Sequence, residues 1–211
     1  AISNTIYFKA TTATDTYIYS QDSQLAIGGY YYAASPKAMT GVAYYAATPS
    51  DIGKVIGGNG KIYDTTVDAT SDGTTAEAMI AFVGNINGEC THGLAISLRD
   101  AYDYNATFAQ ATGENIIPVW AREHPIAGGT WRLPTEADLQ RMIWGNYVAN
   151  PGVVEATDAA KTVLTGGYYW TSTEIDDDDA KVMYYDETTT YASVQSFAKT
   201  AYCHVRACLA F

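Results

Sequence analysis

The sequence predicts a β-rich α+β protein, and three observations favour it. Its 211 residues include 18 Tyr against 5 Phe and 4 Trp, and a tyrosine-rich composition suits half-buried strands better than helices. Two continuous apolar runs, residues 78–83 and 93–98, are typical of strands buried on both faces. One strong helix start, within residues 133–139, supplies the α component.

The charge balance limits the partners we expect. Against 23 Asp and Glu residues stand 12 Lys and Arg, a net charge of −11. This is the wrong sign for neutralising nucleic-acid phosphates or docking on anionic lipid, so we expect no nucleic acid and no direct membrane insertion. Because no long apolar run and no signal-peptide pattern occur, we expect a soluble chain from which any export signal has been removed.

The first part of the chain, residues 1–48, contains short β-like runs at 5–9, 16–19 and 29–32. Three strands are too few for a sandwich. We therefore expect a partial β module that leans on the rest of the chain or accepts a strand from a partner. A boundary near residues 48–51 would separate it from a second domain, residues 49–211.

The second part begins with a hairpin signal, Asn59-Gly60, inside the β-like stretch 54–63. The apolar runs at 78–83 and 93–98 are expected at the centre of the sheet. Residues 98–111 carry Tyr104 and Phe108 at helical spacing and predict a helix. Further β segments are expected at 168–172, 181–185, 191–197 and 202–211.

The clearest helix is expected to begin at Thr135, whose hydroxyl can accept hydrogen bonds from the first turn. Acidic residues at 136 and 138 suit the positive end of the helix dipole. One apolar stripe follows, consisting of Leu139, Met142, Ile143 and Tyr147.

Three blocks carry a resemblance: GGTWRLPTEA at 128–137, YWTSTE at 169–174 and VRACLAF at 205–211. In this order they resemble bacterial C-type-lectin-fold domains of surface proteins and pilus-tip adhesins of gut Bacteroidales. That group includes formylglycine-generating-enzyme-like domains and the variable proteins of diversity-generating retroelements. The resemblance covers about residues 50–211.

This resemblance implies an α+β C-type lectin fold, with mixed, mainly antiparallel sheets and two helices, preceded by the short β-rich segment. That segment looks loosely like part of an immunoglobulin-like or fimbrillin-type module. Trp131 and Trp170 would be buried anchors, and Arg132 would pair with Glu136 near the helix start.

In the variable proteins, the stretch that matches residues 175–204 is diversified by adenine-specific mutagenesis. Many residues of this stretch are amino-acid types that such mutagenesis can produce. The resemblance makes them the candidate ligand-binding set: Ile175, Asp176, Asp177, Asp178, Asp179, Tyr185, Tyr191, Ser193, Phe197, Ala198, Ala201, Tyr202, Cys203 and His204. Tyrosines among small and acidic residues also suit a binding face. The alternative is that these tyrosines are ordinary strand residues with one face on the core.

Two chemical alternatives involve metals. The run Asp176–Asp179 could ligate calcium, with Glu174 and Asp186 as helpers, but it lacks a calcium-loop spacing, and we expect a solvated acidic loop and no cofactor. Cys203 and Cys208 resemble the copper-binding pair of formylglycine-generating enzymes. Their odd separation would place them on opposite faces of one strand, with Cys208 in the core and Cys203 at a variable surface position.

The sequence thus predicts a non-catalytic adhesin that is exported to the cell surface or a pilus tip and binds a protein or glycan on another cell. Affinity would come from Tyr185, Tyr191, Phe197 and Tyr202. The alternatives are a copper-dependent oxidase using Cys203 and Cys208, and a structural pilus subunit whose tyrosine-rich face contacts other pilus subunits.

Overall fold

A computed structural model describes residues 17–18, 37–38, 42–84, 92–144 and 160–211. The chain divides into two compact units, Ala1–Gly41 and Val42–Phe211. In the first unit, strands β1 (Tyr17–Ile18) and β2 (Lys37–Ala38) pair antiparallel. The strands predicted at 5–9 and 29–32 lie outside the described residues.

The second unit is an α+β structure with mainly antiparallel sheets. Its strands are β3 (Val55–Gly57), β4 (Ile62–Tyr63), β5 (Ala76–Val83), β6 (Gly93–Ser97), β7 (Tyr102–Ala106), β8 (Trp131–Arg132), β9 (Gly167–Glu174), β10 (Asp179–Asp186), β11 (Tyr191–Ala198), β12 (Cys203–Val205) and β13 (Cys208–Ala210). A six-stranded sheet has the order β4-β3-β5-β6-β13-β8, and a five-stranded sheet has the order β11-β10-β9-β12-β7. Only the β12–β9 pair is parallel among these described strands.

The predicted β3–β4 hairpin and the central position of the two apolar runs, now β5 and β6, are confirmed. The described residues contain four α-helices, not two: α1 (Thr66–Ser71), α2 (Phe108–Thr112), α3 (Ile117–Glu123) and α4 (Glu136–Trp144). The helix predicted over 98–111 is wrong for residues 102–106. Those residues form β7 because they pair with β12, and this tertiary pairing overrides the local helical pattern.

Helix α4 begins as predicted. Thr135 Oγ1 accepts a hydrogen bond from the Asp138 amide at 3.0 Å, and Leu139, Met142 and Ile143 are buried. Tyr147, the last residue of the predicted stripe, lies outside the described residues. Arg132 contacts the buried Asp138 carboxylate, with Nη2 2.9 Å from Oδ1.

Trp131 and Trp170 are buried, as predicted. Trp170 Nε1 donates to the Ala106 carbonyl at 2.7 Å, which ties β9 to β7 across β12. The single β segment expected at 202–211 is two strands in different sheets: β12 lies in the five-stranded sheet and β13 in the six-stranded sheet. The chain crosses between the sheets at Arg206. Among the described helices, none has the length and apolarity needed to cross a membrane.

Candidate ligand-binding site

The predicted site lies on the hairpins formed by β9, β10 and β11. In this antiparallel ribbon Tyr168 stands opposite Tyr184, which stands opposite Ser193. Because side chains alternate between the faces of a strand, these three residues share one face, and the neighbouring Tyr169, Tyr185 and Ala192 share the other. The Tyr169 face is buried along this stretch, whereas the Tyr168 face is buried at Trp170 and Val182 and half-buried at Tyr168 and Tyr184.

The face that carries Tyr169, Met183, Tyr185 and Ala192 is buried against α4 and β6, in a cluster with Leu139, Met142 and Leu94. Tyr185 is 2 % exposed, and its hydroxyl donates to the Lys161 carbonyl at 3.2 Å. A ligand cannot reach this ring without opening the core. This burial speaks against the prediction that Tyr185 supplies binding affinity.

The opposite face carries a row of half-buried aromatic rings, which we call the aromatic row: Tyr184, Tyr168 and Phe197. The ring centroids of Tyr168 and Tyr184 are 4.9 Å apart, and those of Tyr168 and Phe197 are 4.6 Å apart. Ser193 and Gln195 lie on the same face, and Gln195 Nε2 donates to Ser193 Oγ at 3.3 Å. The aromatic row therefore lies beside the neutral hydrogen-bonding side chains of Ser193 and Gln195.

Tyr168 and Tyr184 were missed as candidate site residues. Each precedes a buried tyrosine in the sequence. The tyrosine pairs at 168–169 and 184–185 therefore indicate one buried ring and one ring on the opposite face. In a strand that packs one face on a core, adjacent tyrosines must point to opposite sides. Because Tyr184 stands opposite Ser193 and Tyr168 stands opposite Tyr184, the register between the strands identifies the even-numbered member of each pair as the one on the Ser193 face.

The loop between β9 and β10, residues 175–178, is exposed and acidic, as expected. Asp176 Oδ1 accepts hydrogen bonds from the amides of Asp179 at 2.8 Å and Asp178 at 2.9 Å. These two amides hold the pKa of the Asp176 carboxyl below its usual value. The carboxylate therefore fixes the turn and stays charged.

Lys199, which follows β11, fastens the same loop. Its Nζ lies 2.5 Å from Glu174 Oε2 and 2.7 Å from the Asp176 carbonyl oxygen, and its amide donates to the Asp178 carbonyl at 2.8 Å. Ile175 stands on this loop with 45 % of its surface exposed. The loop therefore presents its acidic and apolar side chains from a pinned backbone.

The acidic loop was also weighed as a calcium site. In the part of the chain that the structure describes, no group of three or more His, Cys, Asp or Glu side chains is placed to hold a metal ion. One oxygen of Asp176 is already engaged with two backbone amides, and Glu174 faces Lys199. The contacts present are those of a self-stabilised turn.

The connection from β11 to β12 mixes exposed and buried candidates. Ala198 and Tyr202 are exposed, Tyr202 to 58 %, whereas Ala201 packs partly against the core. Cys203 is fully buried, and this burial raises the pKa of its thiol to about 12. Its predicted place on the variable surface is wrong, because β12 pairs on both sides, with β9 and β7.

His204 is also interior, which speaks against its predicted contact with a ligand. Its ring stacks on Tyr169 at 4.9 Å between centroids, and its Nδ1 lies 2.9 Å from Asp100 Oδ2. The ring packs closely over Gly167, where an added Cβ would come 2.7 Å from Nε2. The residue therefore belongs to the interior that supports the strands.

Arg206 completes this interior network where the chain crosses between the sheets. The guanidinium is 2 % exposed; its Nε lies 2.7 Å from Asp100 Oδ1, and it donates to the carbonyls of Ser97 at 3.1 Å and Val163 at 2.7 Å. The network joins β12 to the segments around β6 and β9. The polar groups of this network contact one another, and these contacts hold the two sheets in position.

Cys203 and Cys208 lie in different sheets and pack in different core clusters. Cys208 is in the core, as predicted. A shared copper site needs two thiolates on one ion, whereas burial favours the neutral thiol of Cys203. The placement of the two sulfurs gives the oxidase hypothesis no support.

The candidate groups lie at several places on the five-stranded sheet: the aromatic row is on one face of β9–β11, the acidic loop is at the Ala198 end of β11, Tyr191 is at the other end of that strand, and Tyr202 precedes β12. No protein-family model matches this chain, and a search of curated proteins finds no match.

Proposed function

We propose that this chain is a non-catalytic adhesin whose second unit is a C-type-lectin-like domain displaying a diversified binding face on the bacterial surface or a pilus tip. The mixed, mainly antiparallel α+β architecture is compatible with that fold. The resemblance of the three sequence blocks supports it further, since they contain the buried Trp131 and Trp170 and the crossover residue Arg206.

One observation carries the binding role. Ile175, Tyr191 and Tyr202 keep 45 %, 59 % and 58 % of their surface exposed, and all three lie in the segment 175–204. Tyrosine supplies broad amphipathic contact area with few rotatable bonds, which makes it an efficient contact residue. The strands beneath are held by a buried network, so side chains on this face can be exchanged with little effect on the fold.

The ligand class follows from charge. Asp176, Asp177 and Asp178 are exposed next to Ile175 in the loop before β10, and the whole chain carries −11. We infer a protein or glycan ligand on another cell that presents basic groups, since complementary charge speeds encounter and raises specificity. Binding should weaken as ionic strength rises, because the acidic loop is at the surface.

The test uses an array of immobilised glycans and cationic peptides, probed with the full chain. The double variant Tyr191→Ser/Tyr202→Ser should lower affinity for the captured spots about thirtyfold, the loss of roughly 2 kcal/mol expected at a contact hot spot. Tyr102→Ser is the matched control, because Tyr102 is 46 % exposed but lies on β7, outside the segment. Equal binding by the double variant and wild type would refute the proposal.

A second measurement tests diversification independently of the ligand. The neighbouring DNA should hold a near-repeat of the codons for residues 169–211, differing only at adenines, beside a reverse transcriptase gene. Substitutions among natural copies should fall on Ile175, Tyr191 and Tyr202 and spare Tyr185, Cys203 and His204, which are buried. Variation spread evenly over both groups would contradict the assignment.

A further inference from the structure

Strand β11 stands at the edge of the five-stranded sheet. Among the described strands it pairs with β10 alone, in a continuous register from Asp179 opposite Ala198 to Asp186 opposite Tyr191. This pairing has no bulge along its length, unlike β9–β10 and β5–β6. A straight edge of this kind is a template for another strand.

The register shows which backbone groups of β11 face outward. The Lys181 carbonyl accepts from Thr171 Oγ1 of β9 at 2.8 Å, so the peptide groups of Lys181 point toward β9. Ser196 stands opposite Lys181 and therefore directs its N–H and C=O away from β10. Because the peptide groups of every second residue in a strand point the same way, Val194 and Ala192 also direct their N–H and C=O groups away from β10.

The side chains of β11 leave this edge open. Its residues, Tyr-Ala-Ser-Val-Gln-Ser-Phe-Ala, include no charge and no proline over the whole strand, although charge and proline are the usual protection of an edge. Lys181 reaches Ser196 from the next strand, with Nζ 3.3 Å from Oγ, but this contact uses the hydroxyl and not the peptide group. Ser196 and Ala198 are exposed.

Both ends of the edge are acidic. At one end Asp179 stands opposite Ala198, and Asp177 and Asp178 come just before it in the chain. At the other end Asp186 stands opposite Tyr191 and is followed by Glu187. Asp186 stays ionised because hydroxyl and amide donors hold the pKa of its carboxyl at about 2. Lys199, which follows Ala198, is paired with Glu174, so Asp177 and Asp178 leave that end with net negative charge. A strand laid along β11 therefore meets negative charge at each terminus, and neutral side chains with the Lys181 ammonium beside Ser196 between them.

We propose that β11 accepts an extended peptide segment of a partner protein by strand addition, and that this segment has small or apolar residues in its middle and basic residues at both ends. Its inward side chains would lie beside Ala192 and Val194, which pack against the core. A second copy of this chain is disfavoured because antiparallel pairing of two β11 strands would bring the acidic ends together. The inference goes beyond the proposed adhesin function, since it uses backbone groups and not the exposed phenols.

The experiment titrates the isotope-labelled full chain with a synthetic peptide of alternating Thr and Val that has paired Lys residues at each end. Amide shifts should centre on Ala192, Val194 and Ser196. A peptide with Glu in place of Lys should bind at least about tenfold more weakly. A Lys-ended peptide that is N-methylated at alternate residues, and so cannot pair, should not bind. Equal binding by either control peptide would overturn the proposal.

The variant Val194→Pro removes one outward N–H while leaving the bonds to β10 in place. It should weaken binding of the Lys-ended peptide about tenfold, because one backbone hydrogen bond is lost and the proline ring disturbs the local fit. Tyr102→Ser, on β7 at the opposite edge of the sheet, is the control and should leave this affinity unchanged. Val194→Pro should bind the captured array ligands as wild type does, which separates failure here from failure of the adhesin proposal. If the wild-type chain instead dimerises and Val194→Pro abolishes the dimer, the partner is a second copy and the inference is wrong.

Discussion

The two faces of the β9–β10 ribbon use the same residue type in opposite ways. Tyr169 and Tyr185 are 1 % and 2 % exposed, and their hydroxyls donate to the carbonyls of Thr165 and Lys161. Tyr168 and Tyr184, one residue earlier in each strand, are half-buried and contact each other's rings. Strand parity, and not composition, decides which tyrosines support the fold and which are available for binding.

The largest expected effect separates these faces directly. Tyr185→Ala should lower the free energy of unfolding by about 4 kcal/mol, because it empties a ring-sized volume in the core. Tyr184→Ala should lower the free energy of unfolding by only about 1 kcal/mol, because the half-buried ring contributes little more than its contact with one aromatic neighbour. Urea denaturation of both variants measures the difference, and similar losses would contradict the assignment of faces.

Arg206 tests the network beneath the buried face. Arg206→Met should lower the free energy of unfolding by about 3 kcal/mol, since it leaves the Asp100 carboxylate without its guanidinium in the interior. The double variant Arg206→Met/Asp100→Asn is the control and should recover part of the loss. A single variant as stable as wild type in urea would show that the network is dispensable.

Lys199 tests how firmly the exposed side is held. Lys199→Met should cost only about 0.5 kcal/mol of unfolding free energy, because its partner Glu174 is largely exposed and solvent screens the pair. Hydrogen exchange should nevertheless speed up at the amides of Ile175 and Asp179, whose turn the lysine fastens. Unchanged exchange there would mean that the turn is stable without the lysine.

The smallest effect concerns Asp186, at the β10–β11 turn. The hydroxyls of Thr188 and Thr189, then the Thr188 amide, lower the pKa of this carboxyl from 3.8 to about 2. Because the folded pKa is the lower one, its contribution to stability is present above pH 3.8 and is lost as pH falls through about 2. NMR titration of the carboxyl carbon should show that midpoint, and Thr188→Ala should move it upward.

Much of the frame could be predicted from local pattern. Continuous apolar runs identified β5 and β6, and Thr135 identified the start of α4, because both signals act within a few residues. The β7 strand could not be found in this way, since its pairing with β12 joins residues about a hundred positions apart. The pairing of Arg132 with Asp138 was not predicted, because Glu136 and Asp138 are equivalent in sequence and only packing buries Asp138.

For the candidate site, exposure was predicted correctly for Ile175, Tyr191 and Tyr202 and wrongly for Tyr185, Cys203 and His204. Tyr185 was predicted wrongly because the site was taken as a continuous window, whereas successive residues of a strand point to opposite faces. Cys203 and His204 are consecutive and both buried, because β12 lies between β9 and β7. Parity was hard to see in β10, because Val182, Met183 and Tyr185 are all buried. The partner of His204, Asp100, is also distant in the chain.

The crossover at Arg206 bears on how the molecule assembles during synthesis. Strand β12 lies between β9 and β7, and β13 lies between β6 and β8, so the segments made late occupy interior positions in both sheets. Neither sheet can close until residues 203–210 have left the ribosome, because β7 and β8 pair with no other described strand, and β6 and β9 each keep one open edge before then. The nascent chain must wait with open sheet edges, a state that favours chaperone binding and a slow, late, concerted closure.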